Sequence, residues 1–200
     1  SGNHTITGLA GIGKELQGKL PKVTINTTGS VTILNTINVA NDWTFTAASG
    51  GFTTGGSTIV FCPRSATNIS ITGTHTLNKV TFYSGPNVVL NYTIVNTLTV
   101  DSLLTTAGSL PLNLSSGTID VSRDLTVTNT YNGTTGATAT ININGSNNHS
   151  ITGISGSNKE GQGRLPKVTV NTSGTVTITN TISVENDWTY TASGTYTTTG

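Results

Sequence analysis

The sequence contains no methionine, a single cysteine and very few charged residues. Of its 200 residues, 9 are lysine or arginine and 8 are aspartate or glutamate, so charged residues make up 8%, against about 25% in an average globular chain. The net charge of +1 excludes a strongly basic nucleic-acid-binding module and a polybasic membrane-surface module. One cysteine, Cys62, excludes an internal disulfide framework.

Long apolar segments are missing as well. No stretch approaches the roughly 18 apolar residues of a helix that spans a bilayer, so we expect no transmembrane segment in this piece. The first four residues, Ser1 to His4, carry neither the charged nor the apolar region of a signal peptide. Since both ends of the sequence fall inside a repeat, we expect a longer parent chain to carry any targeting signal.

Small polar residues take the place of the missing charges. Threonine (43), glycine (24), asparagine (21) and serine (19) make up over half of the chain, and hydrophobic residues reach only 33%. A conventional core usually has about 45–50%, whereas ordinary disorder usually carries a high net charge. A thin, repetitive core is consistent with both observations.

An internal repeat dominates the sequence. Residues 1–55 match residues 146–200 at a constant offset of 145, and 32 of the first 47 positions are identical. The segments 41–44 and 186–189, both Asn-Asp-Trp-Thr, are one example. Fixed-period self-similarity is typical of repeat architectures, and this period is long enough to contain several smaller units. We expect one continuous segment over residues 1–200.

A weaker copy of the same pattern lies near residues 72–82. The offset from Val23 to Val80 is 57, and the offset from Val80 to Val168 is 88. Three coils of about 19 residues fit the first interval and four of about 22 fit the second, which predicts seven coils in one period. At about 4.8 Å per coil, one period would be about 34 Å long.

Short alternating triplets define the expected strands. The segments 23–25, 31–33 and 119–121 place apolar, mostly β-branched residues at every second position, which is typical of strands with one buried face. Gly, Asn or Ser between the triplets predict bends, and no stretch shows helical periodicity. The fold class we predict is all-β, a parallel β-helix (β-solenoid) of about 19–22 residues per coil. A pair of β-sandwiches is the alternative.

Four segments carry a family resemblance. Residues 41–44, 51–61, 69–73 and 77–82 together resemble the Thr- and Gly-rich β-strand repeats of prokaryotic surface proteins, broadly the filamentous-haemagglutinin-like and autotransporter-adhesin-like β-solenoids. The resemblance extends over essentially the whole chain. It implies a right-handed parallel β-helix, secretion to the cell surface, no cofactor and no catalysis by the repeats themselves.

Two charged segments are the candidate contact sites. Residues 8–22 recur as residues 153–167, and the corresponding place at residues 73–79 lacks this insertion. Insertions in solenoids form loops on one face, which is often the binding face, so we interpret both as lateral-contact loops; a solvated loop copied by duplication is the alternative. The candidate contact residues are Lys14, Glu15, Gln17, Lys19, Lys22, Lys159, Glu160, Gln162, Arg164 and Lys167.

Several single residues admit both a structural and a functional interpretation. Cys62 is expected to be a small buried hydrophobic residue, and an intermolecular thiol is the alternative. Trp43 shares its side of the strand with inward residues, which favours a core position over a sugar-stacking platform. His4, His75 and His149 are expected at bends or on the surface, since no second ligand lies at metal spacing.

Acidic residues and glycosylation sequons complete the set of candidates. Asp120 and Asp124 are the only close acidic pair in the unique region, and strand geometry places them on one face about 13 Å apart. We therefore expect no catalytic residues and no metal. Asn-x-Ser/Thr sequons are barely more frequent than composition alone explains. The candidate N-glycosylation sites are Asn26, Asn91, Asn132 and Asn171.

These observations lead to one functional expectation and two alternatives. We expect a non-enzymatic, extracellular rod or stalk segment that self-associates into a surface filament or sheath through the charged loops. A glycan- or surface-binding adhesin is the first alternative. A polysaccharide-degrading enzyme on the same scaffold is the remote one, and it would need a carboxylate cluster.

Overall fold

The alternating triplets form strands that stack in parallel. The computed structural model describes residues 2–11, 13–14, 16–63, 68–85, 90–191 and 193–199, and within them the secondary structure is all β. The strands are β1 (His4–Thr7), β2 (Val23–Thr27), β3 (Val31–Leu34), β4 (Thr36–Val39), β5 (Trp43–Ala48), β6 (Phe52–Thr53), β7 (Thr58–Phe61), β8 (Asn68–Thr72), β9 (His75–Ser84), β10 (Leu90–Gly108), β11 (Leu112–Val121), β12 (Asp124–Val127), β13 (Thr140–Gly145), β14 (His149–Thr152), β15 (Lys167–Thr172), β16 (Val176–Thr179), β17 (Trp188–Tyr190) and β18 (Tyr196–Thr199).

Every ladder between these strands is parallel, and the chain winds into a β-solenoid of about eight turns. This confirms the predicted fold class and rules out antiparallel sandwiches for the described residues. Each coil has three sides, which we name faces A, B and C in the order in which the chain visits them. Face A holds β2, β5, β8 and the first parts of β10 and β11. Face B holds β1, β3, β6, the first part of β9, the middle of β10, the end of β11, β13, β15 and β17. Face C holds β4, β7, the ends of β9 and β10, β12, β14, β16 and β18.

Strand β10 shows one complete coil without interruption. Its residues 91–95 pair with β8 on face A, residues 98–100 pair with β9 on face B, and residues 103–108 pair with a later part of β9 on face C. The corner between faces A and B falls at Asn96, which has φ of 80°. Asparagine tolerates this left-handed conformation better than other residues with a side chain, so the corner is formed by a single residue.

Coil length varies along the chain. Val176 pairs with Tyr196 on the next coil, and the distance between them along the sequence agrees with the predicted coil length. Trp43 pairs with Ile71, and this coil is longer than predicted because it carries extra residues outside the stacked strands. Since only the strands must keep register, a coil accommodates an insertion at its corners without disturbing its neighbours.

The repeat period corresponds to six coils and one further face. The face C ladder leads from β4 through six coils to β16. The repeat partner of β16 is β3, which lies on face B, one face before β4 in the same coil. The expectation of seven whole coils is therefore wrong. One period advances about 30 Å at about 4.8 Å per coil, and repeated features are rotated by one face, a third of a turn.

Inward side chains from the three faces form one continuous core. The largest fully buried side chains include Trp43, Phe61, Phe82 and Tyr92, so the predicted core position of Trp43 is confirmed. Phe61 and Phe82 stack with ring centroids 5.5 Å apart, and Phe82 meets Tyr92 edge to face at 4.9 Å. Each fully buried apolar side chain contributes about 1.5–3 kcal/mol, and in this way a core of few residues per coil holds the stack together.

Candidate functional site: two charged loops

The two charged insertions leave the solenoid as loops on different faces. Loop 1, residues 8–22, is tied to β4 on face C by a bridge from Leu9 to Thr36 and a second from Leu20 to Val39. Loop 2, residues 153–167, is tied to face A in the same way, by the bridges Ile154–Thr181 and Leu165–Val184. The loops therefore do not project along one line of the rod. They project in directions one face apart.

Both loops share one defined backbone conformation. At four matched positions the φ angles are positive and nearly equal in the two copies. The pairs are Gly11 at 96° with Gly156 at 101°, Gly13 at 71° with Asn158 at 58°, Leu16 at 75° with Gly161 at 80°, and Gly18 at 54° with Gly163 at 55°. Such agreement, in a stretch where many side chains differ between the copies, shows that the loop has a specific structure rather than being an unstructured insertion.

A buried asparagine anchors loop 1. The Asn38 side chain is 1% exposed, and its Nδ2 donates to the carbonyls of Lys14 at 2.9 Å and Gln17 at 2.6 Å. The Leu16 amide donates to Asn38 Oδ1 at 3.0 Å. In loop 2 the matching Ser183 hydroxyl accepts from the Gly161 amide at 2.8 Å. Sequence reasoning missed Asn38 because its triplet resembles any strand with an outward polar residue.

The candidate contact side chains lie at the surface. Gln17, Lys22 and Glu160 are exposed, and Glu15 lies outside the described residues. One ion pair joins Lys22 Nζ to Asp42 Oδ2 at 3.5 Å across a largely exposed contact, where such pairs contribute little, about 0–1 kcal/mol. The half-buried candidates are Lys14, Lys19, Lys159, Gln162, Arg164 and Lys167. Among the described residues, Lys22 is the only loop cation within ion-pair distance of a carboxylate, and Arg164 has Glu185 in its vicinity.

The Glu185 carboxylate accepts a cluster of hydrogen bonds beside loop 2. It accepts from the Thr135 amide and hydroxyl, all at 3.0 Å, and from the Gly136 amide at 2.6 Å. Burial works against the charged form, but the hydrogen bonds from Thr135 and Gly136, together with Arg164, outweigh it and lower the pKa of Glu185. Ala40 occupies the matching position beside loop 1, so these carboxylate hydrogen bonds have no counterpart there.

Cys62 is fully buried beneath loop 1. Its side chain is 0% exposed, as expected of a small hydrophobic residue, and its Sγ lies 3.9 Å from Asn38 Oδ1. Burial raises the pKa of the Cys62 thiol, and the ammonium of Lys19 opposes that effect. A second chain could reach this thiol only after the coil opened.

The three histidines have different environments. His4 is exposed. His75 and His149 follow the bends at 73–74 and 146–147, as expected, but they are only 6% and 2% exposed, so a surface position is wrong for these two. His75 Nδ1 contacts the Gly73 carbonyl at 2.8 Å, and its ring stacks on Phe45 at 5.0 Å. No three His, Cys, Asp or Glu side chains come together within the described residues to form a metal site.

The acidic pair of the unique region does not share a face. Asp120 lies on β11 and Asp124 begins β12, with the corner between faces B and C separating them, which corrects the expected placement on one face. The Asp120 carboxylate accepts from Asn142 Nδ2 at 3.0 Å. That of Asp124 accepts from the Ser150 amide at 2.9 Å. Both therefore serve to connect neighbouring coils.

The candidate glycosylation residues divide into two groups. Asn26, Asn132 and Asn171 have exposed side chains. Asn91 is half-buried in a ladder of amides on face A, where its Nδ2 donates to Asn68 at 2.9 Å and its Oδ1 accepts from Asn113 at 2.8 Å. A glycan on Asn91 would have to replace its part of this ladder.

Comparison with known proteins adds no further identification. No family model matches the sequence, and neither the curated proteins nor the solved structures give a match. Across the described part of the chain, no helix has the length and apolar character needed to cross a bilayer. The β-solenoid fold is established by the structure alone, without any relative.

Proposed function

We propose that the chain is a segment of an extracellular rod or stalk that self-associates into a surface filament or sheath. The observation that carries this proposal is the ladder of parallel strands that continues along face C from β4 to β18, with an internal repeat that continues the same stacking. In such an assembly each coil contacts only its neighbours, so length increases without any new kind of contact.

The surface chemistry supports a scaffold role. Neighbouring coils are joined by side-chain ladders such as Asn68–Asn91–Asn113 and by the contact of Thr93 Oγ1 with Ser115 Oγ at 3.0 Å. These outward groups carry no charge, so they hold adjacent coils together with little dependence on salt or pH. That property suits a protein exposed to the outside of a cell, and it agrees with the resemblance to prokaryotic surface repeats.

The arrangement of acids supports a non-enzymatic role. Glycoside cleavage needs two carboxyl groups on either side of one bond, whereas Asp120 and Asp124 lie on different faces and are both engaged between coils. The defined, basic loops favour contact with another surface instead. In our proposal, the surface that the loops contact belongs to a second rod.

The test compares the chain with two matched sets of variants in solution and by electron microscopy. At high concentration we expect ordered side-by-side assemblies of rods about 38 Å long, given eight coils of about 4.8 Å. Serine at the six basic loop positions, 14, 19, 22, 159, 164 and 167, should abolish lateral order. Serine at Lys79 and Arg123, outside the loops, should leave it intact. A monodisperse monomer at every concentration would refute self-association.

The adhesin alternative rests on the same basic loops. A glycan array probed with the whole chain, and then with the six-serine variant, separates the two functions. Loop-dependent glycan binding without lateral order would favour the adhesin. The extracellular location is tested by protease treatment of intact source cells, which should digest a protein on the surface and spare one inside.

A further inference from the structure

A small cavity lies between loop 2 and the core of the solenoid. Gly163, Arg164 and Leu165 of loop 2 form its outer wall, and Tyr131 forms one side. The Gly163 amide donates to the Tyr131 carbonyl at 2.9 Å, and Leu165 is only 1% exposed. The cavity has a volume of about 10 Å³, close to the roughly 10–15 Å³ that one water molecule requires. Its size therefore limits an occupant to about one water molecule.

The inner wall places a hydroxyl group at a core position. Thr106 of β10 is 3% exposed, and its partners in the ladder on either side are the apolar residues Phe82 and Val127. Thr106 lines the cavity, and its Oγ1 has no hydrogen-bond partner among the described residues. A buried hydroxyl without a partner is destabilising, so a polar occupant of the cavity would stabilise the folded chain.

A second unpartnered group, the Nε atom of Arg164, lies in the outer wall. It is buried and has no hydrogen-bond partner within the described part of the chain. A Cβ added at Gly161 would lie 3.1 Å from Arg164 Nη2 and 2.7 Å from Asn132 Oδ1, so the guanidinium packs closely against the loop. An arginine Nε–H can only donate a hydrogen bond. The occupant must therefore be able to accept one.

Asn129, a third polar residue of the cavity wall, already has its partners. Its Nδ2 donates to Ser84 Oγ at 3.0 Å and to the Leu110 carbonyl at 3.1 Å. Its Oδ1 accepts from the Tyr131 amide at 2.9 Å. Within the described residues, the buried cavity groups that still need a partner are thus one on the inner wall and one on the outer wall. An occupant between the walls would satisfy both.

We infer that this cavity is a binding site for one ordered water molecule, which accepts a hydrogen bond from Arg164 Nε and forms a second with Thr106 Oγ1. Buried waters are typically held by polar groups that would otherwise be unsatisfied. This water connects loop 2 to the core and fixes the position of the Arg164 guanidinium. Loop 1 carries Lys19 at the matching position, where a methylene group replaces the Nε–H. The inference concerns loop 2 alone and does not depend on the rod proposal.

Nuclear magnetic resonance of the whole chain tests the site directly. The Nε–H proton of Arg164 should exchange with solvent at least tenfold more slowly than that of Arg123, which is exposed, and should show cross-relaxation with a long-lived water molecule. Thr106→Val keeps the shape of the side chain and removes the hydroxyl, so it should abolish the water contact and accelerate the exchange. Thr106→Ser retains the hydroxyl and should preserve both.

Urea unfolding gives an independent test through the sign of the effect. With a bound water, Thr106→Val should lower the ratio of folded to unfolded chain several-fold, because the water loses a partner. In an empty cavity the same change would raise that ratio, because it removes an unpaired hydroxyl.

A double variant tests whether one water joins the two groups. Arg164→Lys keeps the charge and replaces the Nε–H by a methylene group, and combining it with Thr106→Val should cost little more than either change alone. Additive effects of the two changes would overturn the bridging water. Free exchange of the Arg164 proton, or protection that appears only when chloride is present, would overturn it as well.

Discussion

Leu16 and Gly161 hold the same left-handed backbone conformation, with φ of 75° and 80°, at matched positions of the two loops. For a residue with a Cβ this conformation costs roughly 1–2 kcal/mol, whereas glycine adopts it freely. Leu16 is 38% exposed, so little apolar burial offsets that cost. The first copy of the loop therefore carries strain that the second copy lacks.

Replacing Leu16 by glycine should stabilise the chain by about 1 kcal/mol, because the strain of the left-handed conformation is released. The free energy of unfolding, measured by urea denaturation followed by circular dichroism, provides the test. The matched change Gly161→Leu should destabilise by at least as much, since the new side chain also meets Asn132. A loss of stability on Leu16→Gly would show that no strain is present.

Asn38 of β4 should be the most sensitive polar residue in contact with loop 1. Its replacement by alanine removes three hydrogen bonds to loop 1 and leaves the Gln17 carbonyl without the Asn38 donor, at a cost of about 2–3 kcal/mol. Asn38→Ser copies the anchor of loop 2 and should cost less, because the hydroxyl can still accept from the Leu16 amide. Hydrogen exchange at Leu16 should accelerate in the alanine variant and change little in the serine variant. Equal effects of the two variants would argue against this anchor.

Acidification should destabilise the middle coils through His75. Burial lowers the pKa of His75 below its usual value of 6.5, against the opposing effect of the Gly73 carbonyl, so the unfolded chain takes up the proton more readily than the folded one. The contribution to stability is complete above the usual pKa and is lost as the pH falls from there through the lowered pKa of the folded state.

The measurement is the midpoint of urea unfolding between pH 7.5 and 4.5. The variant His75→Phe keeps an aromatic ring against Phe45 and should flatten the pH dependence in this range. His4→Gln, at an exposed position, should leave it unchanged. Identical pH profiles for the unaltered chain and His75→Phe would exclude His75 as the cause.

Cys62 should be unreactive in the folded protein. Its thiol is fully buried and burial raises its pKa, so the reactive thiolate is scarce and inaccessible. A thiol reagent should modify Cys62 at least a hundredfold more slowly in native buffer than in denaturant, and oxidised samples should contain no disulfide-linked dimer. Rapid modification in native buffer would support the alternative of an intermolecular thiol.

The strands and the core could be predicted from the sequence because each strand obeys a local rule. In segments such as 23–25, alternate residues point inward whatever the rest of the chain does. The period in coils could not be obtained in this way. Dividing the repeat offset by the coil length assumes that similar segments lie on the same face. Here the two copies of each segment lie on different faces, and sequence similarity alone does not show which face a strand occupies.

The site could be predicted in part for the same reason. A duplicated charged insertion is visible in the sequence, so both loops and most of their basic residues could be named. Asn38 and His75 escape such reasoning because polarity usually indicates an outward position. Asn38 is buried because backbone carbonyls of loop 1, brought near by the winding of adjacent coils, accept from its amide. His75 is buried because the Gly73 carbonyl contacts its Nδ1 and the rings of Phe45 and Trp43, brought near by the winding, stack on its ring.

The one-face rotation between repeats decides the symmetry of any polymer built from them. Three periods complete nineteen coils and bring a loop back above its starting point after about 90 Å. The charged loops would follow a helical path around such a fibre, with one loop about every 30 Å along the axis. Because the loops would then point in three directions, a fibre could contact neighbours on all three faces, which favours three-dimensional bundles over flat sheets of fibres.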